Sequence, residues 1–104
     1  WTKAAVDLFQ EIKQCINNNY KGIEKLLTKN IEVTDMNAVI FDAEHNFHGC
    51  IPGIHEVLYR QGLLKGTWCL DPNEKLSPGQ AAEIDRIYAQ YPYNTDDAFV
   101  KSVI

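Results

Sequence analysis

Apolar residues in this chain recur at steps of three and four, and that spacing constrains the fold more than any other feature. Between Lys3 and about Ile16 the stripe runs Ala4, Ala5, Leu8, Phe9, Ile12, Cys15 and Ile16, with only Val6 outside it. This is the period of a helix with one buried face, not the two-residue alternation of a half-buried strand. Asn17-Asn18-Asn19 follows, and asparagine tolerates left-handed backbone and competes for local hydrogen bonds, so the triplet predicts a helix stop. A second helix is expected from near Tyr20, burying Ile23, Leu26, Leu27, Ile31, Thr34, Ala38 and Phe41. Val33, Met36 and Ile40 widen that stripe toward a second neighbour. The β-branched run Ile31 to Thr34 favours a strand locally, but a period of two breaks at Asp35 while the helical spacing continues.

Glu44 to Cys50 is a polar break. Pro52 then stands in the first turn of a third helix, where its missing N–H costs nothing, and Ile54, Val57, Leu58 and Gln61 carry that helix to the stop at Gly62. Leu63 to Pro72, with Trp68 and Cys69, reads as an extended apolar connection laid across the helices. Ser77-Pro78-Gly79-Gln80 predicts a capped helix start, with Ser77 as the cap, Pro78 in the first helical position and Gln80 closing a capping box. On that reading Ser77→Ala costs about 1 kcal/mol. Ala81, Ile84, Ile87, Tyr88 and Tyr91 share one face up to Pro92, and Asn94-Thr95 is expected to cap a short last helix with Phe99, Val100 and Val103. Such faces have to be buried against one another, so the expected fold is all-α, a small bundle of four to five helices in a single domain over residues 1–104.

Composition excludes several functional classes. The chain has 104 residues, 45% hydrophobic and 23% charged, with a formal net charge of −4. That apolar content argues against disorder, and the mild acidity supplies no basic footprint for nucleic acid. No apolar run approaches the roughly 18 residues needed to span a bilayer. Cys15, Cys50 and Cys69 make an odd set at unrelated spacings, unlike a disulfide framework. With no signal-peptide pattern at the start, a cytoplasmic location is expected. Helical spacing begins within four residues of Trp1, which reads as a piece of a longer chain.

Candidate chemistry is sparse. His45, His48, Cys50 and His55, with Cys69 as a further donor, are residue types that ligate metals, but their spacing fits neither paired structural-zinc ligands nor a metalloprotease helix, since Tyr59 stands four residues after His55. They read as loop histidines beside a small apolar cysteine. Closeness of His48 and Cys50 in the chain does not by itself make a thiolate–imidazole nucleophile, because such a group needs a lowered thiol pKa, an orienting partner and an oxyanion site. Lys21, Lys25 and Lys29 recur every four residues and could form an anion-binding strip; the ordinary reading is a solvated face. Tyr88, Tyr91 and Tyr93 with Trp68 form an aromatic-rich end that suits core packing with polar tips. No catalytic, cofactor-binding or metal residue is assigned.

The order of segments adds a resemblance. AAVDLFQEIKQCINNN, YKGIEKLLTKNIEVTDMNAVIFD, GCIPGIHEVLYRQGLLKG, the link WCLDPNEKLSPGQ and the helix AAEIDRIYAQYP together resemble, from Ala4 to about Pro92, the C-terminal end of the dihydrodipicolinate synthase/N-acetylneuraminate lyase family. Members close a (β/α)8 barrel with an outer helix and add a small helical domain. The resemblance implies a full-length protein that forms a lysine imine with a 2-oxo acid such as pyruvate. Gly49 to His55 replaces the family's usual Asn-Pro and Lys near the third helix, which implies a divergent branch. The family's Schiff-base lysine, catalytic tyrosine and Gly-rich carboxylate-binding motif lie on the barrel, and no residue here matches them; Tyr93-Asn94-Thr95 is no substitute. The implied partners are the barrel and further copies of the chain, with no nucleic acid and no membrane. Leu8, Phe9 and Ile12 would then be left wet in this chain alone, and self-association, as in a dimer with exchanged helices, is expected. The alternatives are a free-standing helical module that binds a protein partner, and a metal-binding helical domain.

Overall fold

The computed structural model describes residues 1–104 and contains only helices and connections. Five α-helices follow in order: α1 Thr2–Asn17, α2 Ile23–Ile40, α3 Cys50–Arg60, α4 Gln80–Gln90 and α5 Asp97–Val103, with short 3-10 turns at Ala43–His45 and Pro92–Asn94. The all-α bundle is therefore the observed fold. Asparagine stops α1 as expected: Asn18 is its C-cap, and Asn19 and Tyr20 turn the chain through left-handed backbone at φ 56° and 63°. None of the helices is long and apolar enough to cross a membrane.

The core lies where α2, α3 and α4 meet. Met36 and Ile40 from α2, Val57 from α3, and Ile84 and Ile87 from α4 form one buried cluster, flanked by Trp1, Val39, Leu76, Tyr88 and Tyr91. Ile84 and Ile87 are 0% exposed and are the largest fully buried side chains. Each is worth about 1.5–3 kcal/mol in area removed from water. Glycine permits the close crossing of α2 and α3, since a Cβ on Gly53 would sit 2.0 Å from the Ile40 carbonyl oxygen.

Three expectations need correction. The buried side of α2 is the one formed by Met36 and Ile40 with Val33 and Val39, whereas Leu27, Ile31, Thr34 and Ala38 face outward, Ile31 at 69% exposure. Apolar residues cover more than half of this helix's circumference, so periodicity alone leaves two faces open, and the approach of α3 and α4 selects one. The 62–79 connection holds neither helix nor strand, and the apolar residues expected to lie across the helices between Leu63 and Pro72 stay largely in solvent: Trp68 is 78% exposed and Leu70 fully exposed, while Cys69 approaches His55 of α3. Finally, α5 starts from Asp96, not Asn94-Thr95, and leaves Phe99 and Val103 exposed with only Val100 buried. Asp96 does not cap the helix with its side chain. Its carboxylate instead accepts hydrogen bonds from the Lys3 backbone N–H (2.9 Å) and from Gln61 Nε2 (2.7 Å), tying α1 and α3 to α5.

Candidate functional site

A compact group of buried polar atoms lies where α2 ends and α4 begins, beside a cleft of about 380 Å3. Asp42 is its centre. It leaves the end of α2 through left-handed backbone at φ 59° and is 3% exposed. Aspartate tolerates that region better than most residues because its short side chain can bond locally. Its Oδ2 accepts hydrogen bonds from Ser77 Oγ (2.5 Å) and from the Gly49 backbone N–H (2.8 Å), and its Oδ1 lies 2.7 Å from His45 Nδ1. Burial pushes the Asp42 carboxyl up, but the bonds from Ser77, His45 and Gly49 outweigh it and the net shift is downward. His45 moves the opposite way, raised chiefly by its hydrogen bond to Asp42.

Gln80 completes the knot. Its buried amide donates through Nε2 to the carbonyls of Gly49 (3.0 Å) and Val39 (3.2 Å), while its Oε1 accepts from the Ser77 backbone N–H at 2.9 Å. Gly49 is required here, because a Cβ would stand 2.0 Å from Gln80 Oε1 and 2.8 Å from Asp42 Oδ2. The start of α3, the end of α2 and the start of α4 are thus joined by side chains that bond to backbone.

This geometry corrects the expected cap. Gly79 has φ 83° and ψ −11°, and the Gln80 N–H donates to the Ser77 carbonyl at 3.0 Å. These are the marks of a type II turn, with proline second and glycine third. Gly79 itself stands at the cap position of α4, and no side chain caps that helix. Half of the capping box survives as the bond from the Ser77 N–H to Gln80. The Ser77 hydroxyl points to Asp42 instead. Ser77→Ala should therefore cost about 2 kcal/mol, as for a hydrogen bond to a charged group, and Ser77→Asn, a good cap, should not restore it. Urea unfolding of the two variants checks this; full stability in Ser77→Asn would reinstate the cap.

A second polar network lines the same cleft. Arg86 donates from Nη1 and Nη2 to the two Asp35 oxygens at 2.8 and 2.9 Å, from Nε to Glu83 at 2.7 Å, and from Nη1 to Gln90 at 2.7 Å. Tyr91 Oη adds a bond to Asp35 at 2.8 Å. The Arg86 hydrogen bonds hold the Asp35 carboxyl at about 2, against the opposing effect of burial. With a further contact from Nη2 to Glu83 at 3.3 Å, all five guanidinium donors are used, and none remains for an anionic ligand.

The histidines and cysteines singled out by type are dispersed. His45 joins Asp42, His48 sits exposed on the loop, Cys50 opens α3, and His55 on α3 approaches Cys69, with Nδ1 and Sγ 3.7 Å apart. No three His, Cys, Asp or Glu side chains are grouped to hold a metal ion. Cys69, not Cys50, has the imidazole neighbour, and its thiol is pushed up by burial and by Glu74 and Asp71, the opposite of nucleophile activation. Ser77 is not activated either: its proton is directed at a carboxylate of lowered pKa, a weak base, and not at an imidazole.

The lysine ladder splits. Lys21 and Lys25 are exposed, but Lys29 turns inward, donating to Asn94 Oδ1 and standing over the Tyr93 ring at 5.5 Å. The aromatic end also separates. Tyr88 packs edge-on against Trp1 at 5.4 Å and burial raises its hydroxyl to about 12, Tyr91 bonds Asp35, Tyr93 bonds Glu32, and Trp68 lies apart in solvent.

Nothing in the local sequence singles out Asp42, Gly49 or the Asp35–Arg86 pair. The available signal was Gln80, already placed opposite Ser77 by the four-residue motif; its other partners are far away in the chain. Comparison of the chain with protein-family models, with curated proteins and with solved structures finds no match.

Proposed function

We propose that this chain is the helical, non-catalytic portion of a lyase of the dihydrodipicolinate synthase/N-acetylneuraminate lyase type, where it covers part of a (β/α)8 barrel and contributes to oligomer contacts. The reaction belongs to the barrel, whose lysine would form the imine with a 2-oxo acid such as pyruvate. The order of elements supports the reading: α1, α2, α3, a connection without helix or strand and α4 follow one another as the resemblance implies. The buried polar knot suits a structural role, since its groups are spent on one another.

The carrying observation is uncovered apolar surface. Val6, Phe9, Ile12 and Ile16 on α1, with Leu27 and Ile31 on α2, are all exposed. A folded monomer of 11.9 kDa is expected to expose about 6,000 Å2. This chain exposes 7285 Å2, an excess of about 1,300 Å2 over that expectation. Standard interfaces remove about 800 Å2 from each partner; the excess is larger than that, and the exposed connection through Trp68 and Leu70 shares it with α1 and α2. The radius of gyration agrees, at 15.3 Å against about 13 Å for a packed domain of this length.

The native polypeptide tests the proposal. An antibody to this chain should detect a protein longer by a barrel's length of about 250 residues, and pyruvate with borohydride should add a stable mass to it. The 104-residue chain treated alone should gain none. A native polypeptide without the barrel, or an adduct on the short chain, would overturn the reading. The first of those results would favour a free-standing module that binds a protein partner through the same exposed apolar side chains.

A further inference from the structure

We propose that the 41–49 loop is a proton-operated clasp: it is held closed on Asp42 while the His45 imidazole carries a proton, and losing that proton loosens the starts of α3 and α4 together. The loop has an unusual backbone. Asp42, Asn46 and Phe47 all adopt left-handed conformations, at φ 59°, 53° and 65°. Non-glycine residues stay there only where their surroundings hold them, and here the holding group is the Asp42 side chain and carbonyl. The carbonyl accepts from the N–H groups of Phe47 (2.8 Å) and His45 (3.1 Å), closing the loop on itself. The carboxylate reaches outward to Gly49 at the start of α3 and to Ser77 before α4.

Two of the carboxylate's donors, the Ser77 hydroxyl and the Gly49 amide, do not titrate in the ordinary range. The third does. A protonated His45 gives Nδ1–H and a positive charge, making the 2.7 Å contact a charge-assisted bond. A neutral ring offers either an uncharged donor or a lone pair facing a carboxylate. Solvent reaches the ring, whose side chain is 36% exposed.

The charged groups around it favour the proton. Asp42 and Glu44 belong to its own segment, Asp35 comes from α2, and Glu83 and Arg86 come from α4, all lining the cleft. Arg86 is neutralised by Asp35 and Glu83, leaving Asp42 and Glu44 to dominate at His45. The raised His45 pKa follows from the Asp42 bond first and from both acids' charges. The sign is then fixed. The histidine's contribution is complete below its ordinary 6.5 and is lost as pH rises through the higher folded value. The Asp42 contribution is complete above 3.8 and is lost as pH falls through the lower folded value. The clasp is tightest in mildly acidic solution and opens on the alkaline side.

Solution NMR and amide exchange on the 104-residue chain test this. The His45 ring should titrate with a midpoint above 6.5. Protection of the Gly49 amide, after correction for base catalysis, should fall about fivefold between about pH 6 and pH 8.5, with the same midpoint. In His45→Gln that step should vanish, with Gly49 protection flat at the alkaline level, while His48→Gln and His55→Gln keep it. A wild-type Gly49 protection that does not change, a step that survives His45→Gln, or a His45 midpoint at or below 6.5 would each overturn the proposal.

Discussion

Gly53→Ala should lower the thermal midpoint by more than about 10 °C, a large effect from the smallest change possible at that position. The added methyl carbon would lie 2.0 Å from the Ile40 carbonyl oxygen and 2.9 Å from Gln80 Nε2. The first of these contacts is to backbone, so no rotamer can relieve it; α3 has to move away from α2. Overpacking of this kind costs about 3 kcal/mol. For a domain of this size, 1 kcal/mol moves the midpoint by about 4–8 °C. Separation of the helices would also thin the cluster of Met36, Ile40 and Val57. Gly66→Ala is the control: its clash is with the exposed Trp68 ring, which is free to swing, and its midpoint should stay within about 2 °C. Far-ultraviolet circular dichroism melts of both variants decide the matter. Equal midpoints for Gly53→Ala and the wild type would show that α2 and α3 do not cross this closely.

Asp42→Ala should cost about 3–5 kcal/mol, the penalty for removing one side of a buried charged arrangement. The buried Gly49 amide and the part-buried Ser77 hydroxyl would lose their acceptor, and for the buried amide an unmade bond costs more than a made one gains. Alanine would also sit at φ 59° without the local bonding that lets aspartate and asparagine occupy that region. Asp42→Asn separates the two effects. It keeps the shape, an acceptor and the tolerance for left-handed backbone, and loses the charge, so it should recover about half of the loss. Denaturant midpoints measured near pH 5, where the carboxylate is ionised in both states, give the comparison. An Asp42→Ala variant within about 1 kcal/mol of the wild type would mean that the knot does not hold the loop.

What could be read in advance followed from local chemistry. The stop at Asn17-Asn18-Asn19, the proline in the first turn of α3 and its end before Gly62 are each decided within a few residues, and the helices begin and end close to those signals. The buried face of α2 is not legible in the same way, because Leu27 and Ile31 are as apolar as Met36 and Ile40, and only the positions of α3 and α4 distinguish them. Ser-Pro-Gly-Gln misleads for a related reason. A capped start and a type II turn use the same residue types, and the choice depends on where the serine hydroxyl finds its acceptor. That acceptor lies 35 residues back in the chain. The candidate site was therefore visible only in part: Gln80 and His45 stand out by type, whereas Asp42 and Gly49 become informative once the ends of three helices are brought together. The connection through Trp68 has no local signal to say that its apolar residues stay in water.

Central to the proposed role are the apolar side chains of α1 and α2, Phe9 and Leu27 among them, that this chain leaves exposed. Sedimentation equilibrium of the 104-residue chain, beside a Phe9→Lys/Leu27→Lys variant, tests it most directly. The wild type should associate into dimers or larger species at tens of micromolar, and the double variant, with a charge placed among the exposed apolar residues of each helix, should shift toward monomer. A wild type that remains monodisperse and monomeric at millimolar concentration would contradict it.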